Sequence, residues 1–216
     1  MNRPLLPLLT ATLLILGTAC QTVYNTTLEK VFGFEKRELL KKAVVALQGE
    51  QQDAQKEFKD AMTRLKELYG FQGGQLESTY NKLKGSYDNC EAGSKAVQSR
   101  IENMEGIATS MFAEWEKELT QYSNPNLAAT SRQQLRDTKD RYAQLSRTVR
   151  ASADSMKPVL AQLKDNVLFL KHNLNAAAIG SLKNEAAGIQ KQIEELLSRM
   201  SASIAESDAF IKSLPK

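Results

Sequence analysis

Cysteine is nearly missing from this chain: Cys20 and Cys90 are the only two in 216 residues. That excludes a disulfide-stapled scaffold. Histidine occurs once, at His172, with no Asp, Glu or Cys beside it at ligand spacing, so no metal site is expected. Five prolines and eleven glycines punctuate the chain rather than pervade it, which excludes a low-complexity linker. No alternating apolar run of useful length is present, so strands are not expected. The glycines of Gly70-Phe71-Gln72-Gly73-Gly74 lack the Lys-Ser/Thr ending of a phosphate loop. No serine stands in a nucleophile elbow. These shortages point away from an enzyme and from any bound cofactor.

Charge of one sign is also lacking. The 29 Lys and Arg nearly balance the 25 Asp and Glu, leaving a formal +4 and a pI near 9.0. The two signs are interspersed, as in Glu35-Lys36-Arg37-Glu38 and Arg136-Asp137-Thr138-Lys139-Asp140-Arg141. Such runs make a solvated helix face, and no nucleic-acid partner is expected.

What is present begins at the N-terminus. Arg3 supplies a positive start, Leu5 to Leu16 an apolar stretch, and Gly17-Thr18-Ala19 the small residues of a cleavage site, followed at once by Cys20. The apolar stretch is shorter than the roughly 20 residues needed to span a bilayer. The order of regions is that of an export signal over 1–19. Small residues directly before a cysteine resemble a bacterial lipobox, which implies a lipid on the Cys20 sulfur. The usual Leu three places before the cysteine is Gly17 here, with Leu16 one place further back. Gly17 and Ala19 also satisfy the small-x-small rule of ordinary signal cleavage, which would leave a secreted protein with a free Cys20. Residue 21 is Gln, not the Asp that commonly holds Gram-negative lipoproteins in the inner membrane, and this favours the outer membrane.

Four long apolar seams follow, each built from alternating steps of four and three, the signature of a helix with one side facing partners throughout. The first is Leu40, Val44, Leu47, Gln51, Ala54, Phe58, Ala61, Leu65 and Leu68, ending near Tyr69. The second is Leu76, Tyr80, Leu83, Tyr87, Cys90, Ser94, Val97, Ile101, Met104, Ala108, Met111 and Trp115, running on loosely to Tyr122. Asn124 is placed to cap the third helix, with Pro125 at its first position. That third seam is Leu135, Thr138, Tyr142, Leu145, Val149, Ser152, Met156, Val159, Leu163, Val167, Leu170 and Leu174. Pro158 inside it is expected to kink or divide the helix. The last is Ile179, Leu182, Ala186, Ile189, Ile193, Leu196, Met200, Ser203, Ser207, Phe210 and Leu214, entered through Asn173-Leu174-Asn175 with Asn175 as cap. Short breaks between long helices imply antiparallel neighbours. The expected fold is all-α: an elongated antiparallel bundle of four long helices over 35–216. Residues 20–34 are expected to form a lipidated N-terminus with a short helix carrying the apolar patch Tyr24, Leu28, Val31 and Phe32.

Few residues invite chemistry. Cys90 falls on the second seam and reads as core, with a redox role as the alternative. His172 beside Lys171 and Asn173 suits a helix C-terminus. Trp115 reads as a core anchor and, alternatively, as a stacking platform for sugars. Glu114 and Glu118 share a helix face; such pairs serve glycoside hydrolysis but are commonplace on charged helices. Gln51, Ser94, Thr138 and Ser152, with Tyr80, Tyr87 and Tyr142, make the interior more polar than an ideal bundle. They either fix register or mark an interior that opens.

Glu29-Lys30-Val31-Phe32-Gly33, Lys36-Arg37-Glu38-Leu39-Leu40, Ala113-Glu114-Trp115-Glu116-Lys117-Glu118-Leu119, Leu168 to Ala176 and Ile204 to Ile211 carry a resemblance. With them the chain resembles a family of proteobacterial lipoproteins catalogued as domain of unknown function 2959. The resemblance implies an exported, lipid-modified helical protein and transfers no functional residues. The expected function is a lipid-anchored structural or interaction module of the bacterial envelope. It would be held by Cys20 in the inner leaflet of the outer membrane, face the periplasm, and bind an envelope protein or itself through its helices. The alternative is a periplasmic carrier of an apolar ligand between those helices.

Overall fold

The computed structural model describes residues 36–71, 73 and 75–214, and for 176, 184 and 186 the backbone alone. The signal segment, Cys20 and the short helix expected over 24–34 lie outside the described residues. Within them the chain forms four long helices and no strand: α1 (Lys36–Tyr69), α2 (Leu76–Glu118), α3 (Pro125–His172) and α4 (Ala176–Ser213). A single 3-10 turn, Leu119–Gln121, follows α2. At 1.5 Å per residue the 48 residues of α3 extend about 72 Å.

The boundaries follow from local chemistry. Gly73 has a φ of 134°, a conformation open to glycine and strained for other residues, and it turns the chain between α1 and α2. The Asn124 side chain accepts from Asn126 N at 2.9 Å and Leu127 N at 3.3 Å, with Pro125 opening α3. These bonds satisfy donors that a helix start leaves free. At the far end of α3, Lys171 and His172 lie in the last turn, and Asn173 Nδ2 donates to Phe169 O at 2.9 Å. Asn175 then accepts from Ala178 N at 3.0 Å and starts α4. The hairpin expected at Asn173-Leu174-Asn175 is therefore present, and the phase slip there leaves Leu174 42% exposed and Ala178 buried. α3 runs undivided through Pro158. That residue is on the exposed face, where a carbonyl deprived of its donor can turn to water.

Cross-helix contacts show each helix antiparallel to its neighbours. Lys36 pairs with Glu114 at 3.0 Å, Glu50 with Arg100 at 3.0 Å, and Glu57 with Asn89 at 3.0 Å, so α1 and α2 run in opposite directions. Gln48 reaches Asp208 and Gln55 reaches Ser201, both at 2.8 Å, which sets α4 against α1. Lys139–Glu116 at 2.5 Å and Arg150–Glu105 join α3 to α2. Arg141 donates to Ser213 O at 3.1 Å, between α3 and α4. The order around the bundle is thus α1, α2, α3, α4 and back to α1.

The seams form the core. All nine positions of the first are buried, and Leu83, Cys90, Val97, Ile101, Met104, Leu145, Val149, Met156, Leu163, Ile193 and Met200 join them at essentially zero exposure. Two features choose the neighbours. α1 and α2 approach closely: a Cβ added to Gly93 would lie 3.3 Å from Ala54 Cβ. α3 carries nine Lys or Arg against four Asp, while α2 carries eight carboxylates against five cations. Exposed ion pairs contribute about 0–1 kcal/mol each, so this complementarity discriminates between possible neighbours more than it stabilises the bundle.

Candidate functional site

The interior holds a polar layer midway along the bundle. Gln51 on α1 is fully buried and donates through Nε2 to Ser203 Oγ on α4 at 2.7 Å; Ser207 Oγ donates to Ser203 O at 3.0 Å. Gln51 Oε1 and the Ser152 Oγ of α3 are buried without a partner. Buried polar atoms in this state cost about 1–3 kcal/mol each. One turn of the core thus gives up stability and gains a register mark, since sliding any helix would bring Gln51 against apolar side chains. Thr138 is buried and bonds back to Gln134 O at 2.8 Å. Ser94 is only half-buried: with its neighbour Gly93 against α1, Ser94 lines a groove between α2 and α3 instead.

Aromatic residues close the core toward the α1 N-terminus. Tyr142 on α3 sits edge-on to Phe112 of α2, with centroids 5.5 Å apart, and to Phe210 of α4 at 6.1 Å. Edge-on pairs of this kind contribute about 0.5–1.5 kcal/mol beyond burial. The Tyr142 hydroxyl is buried without a partner. Burial, aided by Glu105, pushes its pKa well above the usual phenol range. Near the other end Tyr69 crosses the bundle and donates to Asn166 Oδ1 at 3.2 Å, and burial lifts its phenol to about 12. Tyr80 and Tyr87 are half-buried, and the Tyr87 hydroxyl meets Glu91 at 3.2 Å.

The residues singled out for chemistry are not brought together. Cys90 is fully buried; burial first, then Glu57 and Asp60, raise its thiol to about 12, so it is an inert core sulfur. His172 is the exposed last residue of α3. Trp115 is half-buried, and its indole N–H donates to Ser131 Oγ at 2.9 Å. Glu114 is engaged by Lys36 at 3.0 Å, while Glu118 is exposed at the end of α2. No group of three or more His, Cys, Asp or Glu among the described residues is placed to hold a metal, and no described helix is long and apolar enough to cross a membrane.

Three buried polar residues escaped the sequence reading. Ser131 receives Trp115, Asn166 receives Tyr69, and Ser86 donates to Asp60 Oδ2 at 2.5 Å. Ser86 and Asn166 lie beside a seam position rather than on it, Ser131 lies one step ahead of the third seam's first residue, and each is bonded to a side chain of another helix.

Among the described residues the surface carries open grooves. One, of about 600 Å³, runs between α3 and α4 past Ala151, Ser155 and Pro158 on one side and Gln192 and Arg199 on the other. A second, of about 360 Å³, separates α2 from α3 at Lys95, Gln98, Arg150 and Lys157. Its cations are engaged: Lys95 by Glu91, Arg150 by Glu105, Lys157 by Asp154. Large apolar side chains are exposed mainly at the two ends: Tyr122 and Leu127 at the α2–α3 turn, and Leu168, Phe169 and Leu174 at the α3–α4 turn. Among the described residues the surface thus consists of charged outer faces, open grooves and apolar bundle ends.

No curated protein and no solved structure shows significant similarity to the chain. Residues 24–214 match the family described as Protein of unknown function (DUF2959), and the chain belongs to that family.

Proposed function

We propose that this is a lipid-anchored, periplasm-facing structural or interaction module of the bacterial envelope, held by acylated Cys20 in the outer membrane and engaging an envelope protein or a second copy of itself. The observation that carries the reading is the order of Arg3, the apolar stretch from Leu5 to Leu16, the small residues Gly17 to Ala19, and Cys20 ahead of the helical domain. The acyl chains would hold firmly, because each buried CH₂ contributes about 0.8 kcal/mol. Most of the described seam positions are spent on one another, and this leaves the charged outer faces and the bundle ends for recognition. The role is binding, without catalysis or a cofactor.

Labelling cells with radioactive palmitate and fractionating their membranes tests the anchor. The parent should incorporate label and sediment with the outer membrane, and Cys20→Ala should lose both. An unlabelled parent, or a Cys20→Ala variant that fractionates identically, refutes the anchor. Crosslinking in intact cells tests the partner; lipid co-purifying with the gently isolated domain would favour the carrier instead.

A further inference from the structure

Leu127, at 57%, is the most exposed large apolar side chain among the described residues, and Tyr122 beside the same turn is 44% exposed. Both belong to 119–131, a stretch with no Asp, Glu, Lys or Arg in a chain that is 25% charged. Glu118 and Arg132 bound it directly, with Lys117 and Glu116 next on the α2 side, and all four are exposed. The turn is a shaped one: Asn124 caps α3, Pro125 fixes its first residue, and Trp115 Nε1 ties α2 to Ser131. It displays Tyr122 and Leu127 outward from a fixed backbone.

This turn lies at the end of the bundle where the anchored chain enters. Lys36, the first residue of α1, pairs with Glu114 near the end of α2, and Arg141 meets Ser213 at the end of α4. The segment carrying Cys20 therefore joins the bundle at the end that bears Tyr122 and Leu127. The segment from Cys20 to Lys36 can reach about 50 Å when extended, so acylation alone leaves the domain free to stand away from the lipid.

We propose that the α2–α3 turn seats on the bilayer, with Tyr122 and Leu127 entering the boundary between headgroups and acyl chains and Lys117 and Arg132 directed to phosphates. Tyrosine favours that depth because its ring is apolar and its hydroxyl stays wet. Glu116 and Glu118 offset Lys117 on the α2 side, so the apolar side chains, not charge, carry the seating. The proposal rests on the Cys20 anchor and adds an orientation: the bundle meets the membrane end-on, and the α3–α4 turn with Leu168, Phe169 and Leu174 is the remote end.

Trp115, the only tryptophan, stands in the last turns of α2 and reports on this end alone. The test uses the full acylated chain in vesicles of phosphatidylethanolamine and phosphatidylglycerol doped with headgroup-spin-labelled phosphatidylcholine. Vesicle flotation and the intact mass of Cys20 are read in parallel. Expected are loss of Trp115 emission in the parent, recovery in the Tyr122→Asp, Leu127→Asp double variant while it still floats, and no change for Leu168→Asp. Both aspartates replace exposed side chains, so thermal melting should be unaffected. A parent that floats with undiminished emission overturns the seating alone, as does a double variant that stays quenched. A parent with bare Cys20 that neither floats nor is quenched overturns both readings; one that is bare yet quenched overturns only the anchor.

Discussion

Replacing Gly93 by alanine sets two effects of similar size against each other. An interior helix position gains about 1 kcal/mol when glycine becomes alanine. At Gly106, further along the same helix, an added Cβ meets nothing within 4 Å, so Gly106→Ala should keep the whole gain. At Gly93 the new methyl would lie 3.3 Å from Ala54 Cβ and 3.4 Å from its Cα. Ala54 has no torsion with which to retreat, so α1 and α2 must move apart by a few tenths of an ångström along a packed seam. Overpacking of this kind costs about 1–3 kcal/mol. The expected net change for Gly93→Ala therefore runs from zero to a loss of about 2 kcal/mol. Urea denaturation at constant m reads both variants, and about 1 kcal/mol should appear as roughly 2–4 °C in Tm for a domain of this size. Ala54→Gly closes a double-mutant cycle: alone it forfeits about 1 kcal/mol of helix propensity, but beside Gly93→Ala it removes the clash. A coupling above about 0.5 kcal/mol is expected. If Gly93→Ala stabilises as much as Gly106→Ala and the cycle shows no coupling, the close approach of α1 to α2 is refuted.

Three further outcomes follow from the interior. Gln51→Leu removes an unpartnered buried oxygen together with one hydrogen bond; the relieved desolvation outweighs the lost bond, so stability should rise by about 1 kcal/mol, whereas Gln51→Ala should cost about 2–4 kcal/mol through the cavity. Urea midpoints decide it, and a fall for Gln51→Leu contradicts the account. Cys90, with its thiol raised to about 12, should resist iodoacetamide at mildly alkaline pH until urea unfolds the chain; rapid labelling of the folded protein would show that the site opens. Tyr69 and Tyr142 are neutral when buried, and their folded pKa values lie above the unfolded phenol value of about 10. Their contribution is complete below pH 10 and lost as the pH rises toward the folded values, since the unfolded state then releases the protons. Alkaline unfolding followed by circular dichroism should therefore begin above pH 10 and shift upward in Tyr69→Phe, Tyr142→Phe; an unchanged midpoint would place both phenols in water.

The sequence made the inward half of each helix legible, because a seam with steps of four and three has one arrangement that hides it. The nine residues from Leu40 to Leu68 are buried as their spacing requires, and the caps at Asn124 and Asn175 could be read because they are local. What lay between seams was not readable in the same way. Tyr87 sits on the second seam but is half-buried, while Ser86 beside it is buried. The tight α1–α2 approach admits a small hydroxyl that reaches Asp60 and leaves the larger ring to lean out toward Glu91. Asn166 gives no periodic signal; its place is set by Tyr69, 97 positions away in the chain.

Heptad spacing also says nothing about which helix neighbours which, and here the outward residues decide. A ring running α1, α2, α3, α4 places the acidic α2 beside the basic α3 and joins Glu105 to Arg150 and Glu116 to Lys139. Exchanging α2 for α4 across the ring would leave each of these hairpins antiparallel but reverse the hand of the bundle. Charge pairing alone permits either hand, and in this structure the interior contacts include Tyr69 reaching diagonally to Asn166 and the three-way meeting of Phe112, Tyr142 and Phe210. The same reasoning locates function. Seam residues within the helices are consumed by folding and charged flanks by neighbour choice, so the positions free of both demands are the uncharged, exposed ends, where the second and third seams run out at Tyr122 and Leu174. Of those, the turn with Tyr122 and Leu127 lies at the end where α1 begins, and it is the one we propose to seat on the bilayer.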